Sequence, residues 1–183
     1  MKKRGLNTKD AVIGIAASGR TLYTIGAVEY AKSLGCFTAC ITCVPDSEIT
    51  RAVESAIVPI VGAEVIAGSS RMKAGTAQKM ILNMISTAAM IRLGYVKGNR
   101  MTNMRSSNEK LRERSLRILM AETGLDETSA GNLLEEAYDD LRVALVMARS
   151  GADSLTATRC LEKNGFVVEK AIAIMKGEFR IPI

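Results

Sequence analysis

Apolar and polar positions alternate along the first half of this chain in a pattern of strand, loop and helix. Ala11 to Ala17 is a continuous run of small apolar residues that ends at Ser18-Gly19-Arg20-Thr21. Leu22, Ile25, Val28 and Ala31 then fall at helical spacing up to Gly35. Phe37 to Val44 reads as a second strand punctuated by Pro45-Asp46-Ser47. Ala56 to Val61 reads as a third, with Pro59 marking an edge or a strand end. Strands apolar on both faces and alternating with helices predict a parallel sheet covered on both sides. A long helix from Lys73 to Leu93, closed by Gly94, is expected to be buried, and Gly98-Asn99 marks a turn. From Asn108 the strand pattern stops. Amphipathic segments follow over Leu111 to Glu122, from an Asp126 cap to about Tyr138, over Leu141 to Ala148, from an Asp153 cap to Asn164-Gly165, and over Phe166 to Met175. The expected architecture is α/β: a partial doubly wound parallel sheet over residues 1–107, then a connecting helix and a small all-helical domain over 108–183.

A chain of 183 residues can bury its own core without staples. It contains no histidine, so acid–base chemistry would fall to carboxylates, lysine, cysteine or hydroxyls. The net charge of +6 is scattered among acidic residues rather than gathered in a stripe, so nucleic acid is not an expected partner. No apolar segment follows Met1-Lys2-Lys3-Arg4, as a secretory leader would require, and Met80 to Leu93 is too short to span a bilayer. The expectation is a cytoplasmic protein with no membrane partner.

Gly62 to Lys79, GAEVIAGSSRMKAGTAQK, carries the densest candidate chemistry. Ser69, Ser70 and Thr76 offer hydroxyls, Arg71 a fork of donors, and Lys73 and Lys79 point charges. An anionic, oxygen-rich ligand needs that inventory, and a helix start favours an anion through its free N–H groups. Ser18 to Thr21 lies where ligands sit in such sheets, beyond the carboxyl end of a strand. Cys36, Cys40 and Cys43 have the spacing C-x3-C-x2-C of a cluster-binding triplet, but they fall inside the best strand candidate. Strand geometry would send Cys43 to the face opposite Cys36 and Cys40, so buried free thiols are expected instead. Met72, Met80, Met84 and Met90, spaced among aliphatic residues, read as packing rather than as a metal stripe. No metal or cofactor is expected.

The stretch GAEVIAGSSRMKAGTAQK closely resembles the signature of the N-acetylmuramic acid 6-phosphate etherases and the related glucokinase regulatory proteins, in the sugar isomerase domain superfamily. VIGIAASGRT, VEYAKSLGC and the run Ser107-Asn108-Glu109-Lys110-Leu111 agree with the same family. The resemblance covers essentially the whole chain and favours the etherases. It implies a helical tail similar to ubiquitin-associated folds. Half a parallel sheet leaves one apolar strand edge unpaired, which separately predicts a homodimer or larger assembly. The resemblance also implies an amino-sugar 6-phosphate ligand held by Ser18, Gly19, Arg20 and Thr21 on one side and by Ser69, Ser70, Arg71, Lys73 and Lys79 on the other. The family reaction cleaves the lactyl ether of N-acetylmuramic acid 6-phosphate to N-acetylglucosamine 6-phosphate and D-lactate, by elimination and hydration between carboxylates.

Against that pattern, the chain reads as the carboxy-terminal portion of such a protein. The family's two catalytic glutamates and its first glycine-rich loop precede the point where this sequence begins. None of Glu29, Glu48, Glu54, Glu64 and Glu109 matches either catalytic motif, so the catalytic residues are unassigned. Leu22, Val44 and Asp46 stand where the family tends to have proline, asparagine and glycine. Two other readings follow: a phosphosugar-binding or regulatory module without turnover, and an adaptor acting through the helical tail.

Overall fold

The computed structural model describes residues 5–178, so the basic start at Met1–Arg4 lies outside the described residues. It divides into two units, residues 1–85 and 86–183, with one long helix crossing from the first to the second.

In the first unit the strands β1 (Ala11–Ile15), β2 (Phe37–Ile41) and β3 (Ser55–Ile57) form a parallel sheet in that order. Helices α1 (Leu22–Ser33) and α2 (Glu48–Ala52) make the two crossovers. In the β1–β2 register Gly14 lies beside Cys40 and Ile15 beside Ile41. Alternation along β1 turns Val12, Gly14 and Ala16 toward a core built with Ile25 and Val28 of α1 and Ile49 of α2. Gly14 has to be glycine, because a β-carbon there would stand 2.8 Å from Val28 Cγ1 and 3.0 Å from Ile49 Cδ1. The opposite face of β1 is not covered: Ile13 is 36% and Ile15 39% exposed. Thus the expectation of a sheet covered on both sides holds for one face of β1 only.

Each strand is shorter than its apolar run. β1 stops at Ile15, β2 at Ile41 and β3 at Ile57, two residues before Pro59, whose missing N–H cannot extend a ladder. The residues beyond each strand become loop, and these loops build the cleft described below.

Helix α3 (Lys73–Arg92) follows the third strand and its loop. It departs from the expected buried helix, since only Ala74 and Ile81 are buried while Met80, Met84 and Ile91 are exposed. Among the described residues no other element packs along it at length.

The second unit opens with a two-stranded antiparallel hairpin, β4 (Val96–Lys97) and β5 (Arg100–Met101), turning at Gly98-Asn99. Five helices follow: α4 (Glu109–Thr123), α5 (Glu127–Glu136), α6 (Leu141–Ser150), α7 (Ser154–Lys163) and α8 (Val168–Met175). Side-chain oxygens cap four of them, with Asn108 accepting from Leu111 N at 2.9 Å, Asp126 from Ser129 N at 2.9 Å, Asp140 from Arg142 N at 3.0 Å and Asp153 from Thr156 N at 2.7 Å. Gly124 and Gly151 end α4 and α6 in the left-handed conformation. α6 is the central element, with Leu141, Ala144 and Val146 fully buried against Leu119, Leu134, Leu161 and Ala171. Glu122 joins the hairpin to α4 through Lys97 Nζ at 3.0 Å and Arg100 at 2.8 Å. Burial pushes that carboxyl upward, but these two cations outweigh it and leave its pKa lowered.

Candidate functional site

The loops beyond β1 and β2 and the segment from Val61 to Ala74 enclose a cleft of about 700 Å³ in the first unit. Ser18, Arg20 and Thr21 approach from the loop after β1, Cys43 and Val44 from the loop after β2, and Glu64, Ser69 and Ser70 from the long loop before α3. This is the position expected of a ligand in an open parallel sheet.

The first wall is a tight turn fixed by backbone bonds, with Gly19 N donating to Ala16 O at 2.9 Å and Ile49 N to Gly19 O at 3.0 Å. Gly19 has a φ of +67°, and a β-carbon on it would lie 2.1 Å from Ser47 Oγ and 2.9 Å from Thr42 Oγ1. Glycine is therefore required twice over, by dihedral and by space. Among the described residues the hydroxyls of Ser18, Thr21 and Ser70 and the guanidinium of Arg20 have no protein partner, which leaves them for a ligand. Ser69 Oγ accepts from Arg71 N at 3.2 Å, and its proton stays available for donation.

The second wall is held differently from what the sequence suggests. Glu64 lies nine residues ahead of α3, yet its carboxylate takes the helix start: Oε1 accepts from Lys73 N and Ala74 N, each at 3.1 Å, and Oε2 from Lys73 N at 3.2 Å. The backbone N–H of Ala74, then that of Lys73, holds the Glu64 pKa below the ordinary glutamate range. Lys73 Nζ in turn donates to Ala63 O at 2.6 Å.

Of the sequence-derived candidates, Ser18, Arg20, Thr21, Ser69 and Ser70 line one cleft, with Gly19 shaping the turn behind them. Arg71, Lys73 and Lys79 are exposed and do not line it. Two further cleft residues, Glu64 and Cys43, carry titratable side chains that the sequence reading does not assign to the ligand site. Glu64 gives no local signal, because an acid nine residues upstream is too far to read as a cap. Cys43 was assigned to a strand, but β2 ends at Ile41 and Cys43 falls into the cleft wall. Burial, and secondarily the charge of Glu64, raises its thiol pKa. Cys36 and Cys40 are buried free thiols.

Residues 3–88 match the model of the SIS domain. The chain is 45% identical over 170 residues to N-acetylmuramic acid 6-phosphate etherase of Clostridium botulinum strain Loch Maree, covering 92% of this chain and 56% of that protein. It is 48% identical over 174 residues to the etherase of Clostridioides difficile strain 630, covering 94% and 57%. To the etherase of Symbiobacterium thermophilum it is 56% identical over 142 residues, covering 78% and 47%. The chain spans about half the length of the curated relatives it matches. Residues 3–88 thus resemble a SIS domain within an α/β fold followed by a helical part, and most of the chain is similar to the N-acetylmuramic acid 6-phosphate etherases.

Proposed function

We propose that the cleft binds an amino-sugar 6-phosphate, and that the chain supplies this site to the etherase reaction, cleavage of N-acetylmuramic acid 6-phosphate to N-acetylglucosamine 6-phosphate and D-lactate. The carrying observation is the meeting, across one cleft, of the unpartnered hydroxyls of Ser18, Thr21 and Ser70 with the guanidinium of Arg20. Hydroxyl donors suit phosphate and sugar oxygens, and a guanidinium fork suits a phosphate edge. Arg71, Lys73 and Lys79 add positive potential along the adjoining loop and helix.

Glu64 is a poor candidate for moving a proton. Both of its oxygens already accept backbone N–H groups and its pKa is lowered, so it is a weak base. The reading therefore assigns the catalytic carboxylates to the part of the relatives' length that this chain does not span. Among the described residues no helix is long and apolar enough to cross a membrane. The site of action proposed is the cytoplasm. A homodimer or larger assembly is proposed because β1 leaves an apolar sheet edge unpaired.

Thermal melting of the purified chain with N-acetylmuramic acid 6-phosphate, followed by assay of the same sample for D-lactate, tests this reading. Stabilisation without lactate is expected. Lactate release would overturn the assignment of the catalytic carboxylates, and no stabilisation by any amino-sugar 6-phosphate would sink the binding site.

A further inference from the structure

We infer that Glu64 and Lys73 are positioning residues, a reciprocal clasp that sets the Ser69–Ser70 wall of the cleft opposite Ser18 and Thr21; this rests on the phosphosugar reading above. The two residues carry opposite charges, but each is bonded to the other's stretch of backbone rather than to its side chain. The Glu64 carboxylate takes the N–H groups of Lys73 and Ala74, and the Lys73 ammonium takes the carbonyl of Ala63 at 2.6 Å. Together they tie residues 63 and 64 to residues 73 and 74, closing the segment between them into a loop. Charge-assisted bonds of this kind are the stronger ones. They also occupy helix-start donors that would otherwise face water or a ligand.

Inside the closed loop a second set of bonds fixes the hydroxyls. Ser69 N donates to Ile66 O at 3.1 Å, Gly75 N to Ser70 O at 3.0 Å, and Arg71 N to Ser69 Oγ at 3.2 Å. Gly68, at φ +82°, supplies the reversal between them. Val65 and Ile66 are exposed, so apolar packing does not hold this loop in place. The clasp and these internal bonds define it, and the clasp alone ties its two ends together. A wall ordered before the ligand arrives avoids the cost of ordering it on binding.

Charge alone predicts the opposite effect of removing Glu64. A carboxylate in the lining of a cleft for an anion repels that anion, so deleting it would tighten binding if repulsion were its only influence. The clasp predicts weaker binding. The probe is N-acetylglucosamine 6-phosphate, titrated calorimetrically into the wild-type chain and into Glu64→Ala, Glu64→Gln and Lys73→Met, with amide hydrogen exchange read over residues 62–76.

Glu64→Ala is expected to speed exchange at Lys73 and Ala74 and to weaken the probe by about tenfold or more, the order of one lost charge-assisted hydrogen bond. Glu64→Gln keeps an acceptor oxygen and should fall between the two. Lys73→Met should loosen the same loop while exchange in β1 and β2 stays as in the wild type. Unchanged exchange at residues 73 and 74 in Glu64→Ala, or tighter binding by Glu64→Ala or Glu64→Gln, overturns the inference. Faster exchange with unchanged affinity overturns the positioning role. A wild-type chain that does not bind the probe refutes the phosphosugar reading instead, and the exchange comparison still decides whether the clasp exists.

Discussion

Gly19 and Ser47 meet at one point behind the cleft, and their substitutions should act in opposite directions. Ser47 Oγ is buried with no hydrogen-bond partner, although Ser47 is the residue preceding α2 and would ordinarily cap it. Removing a buried hydroxyl that bonds to nothing loses no bond and spares its desolvation. Ser47→Ala is therefore expected to be neutral or to stabilise the chain by up to about 1 kcal/mol. Gly19→Ala forces a side chain into a left-handed position already filled by Ser47, and should destabilise by roughly 1–3 kcal/mol. Paired denaturant melts of the two variants check both signs; a destabilised Ser47→Ala would mean that its hydroxyl has a partner.

The helices of the second unit carry their own pH response. The backbone N–H of Ser129, then its hydroxyl, holds the Asp126 pKa below the ordinary aspartate range, and Thr156 does the same for Asp153. A carboxylate whose folded pKa is depressed stabilises fully above its unfolded value, and that contribution is lost as pH falls through the folded value. Melting temperature should thus decline below about pH 4. Asp126→Asn with Asp153→Asn should flatten the decline, since asparagine caps a helix without titrating there. An unchanged slope in the double variant would assign the acid response to other groups, Glu122 first. The Asp126 and Asp153 caps were legible in the sequence because each lies next to the periodic segment it starts. α2, only five residues long, was too short to show a period. Strand ends were overread for a similar reason: the run continues through Ala16, Ala17, Thr42 and Cys43 past the last ladder residues, but Ala17 and Cys43 line the cleft while Ala16 and Thr42 stay buried. The loop hydroxyls could be read from residue type and position beyond a strand. The bond from Glu64 to the start of α3 could not, because only the folded loop brings the two together.

On the scale of the whole molecule, exposed apolar side chains include Ile13 and Ile15 on β1, Leu22 and Tyr23 on α1, Val65 and Ile66 on the cleft loop, and Met80 and Met84 on α3. Exposed apolar side chains in number mark contact surfaces, and an unpaired strand edge templates association. Sedimentation at several concentrations should therefore find a dimer or larger species, and a stable, well-folded monomer throughout would refute that. β1 meets β2 only across a full crossover, Ala11 beside Phe37, and the helical unit closes segments at least as long, with Arg112 bonded to Asp139 and Arg142 to Asn103. Closing loops of similar length costs similar entropy. Neither unit is therefore expected to form far ahead of the other, and the strands are exposed to misassembly for as long as their own crossovers take to close.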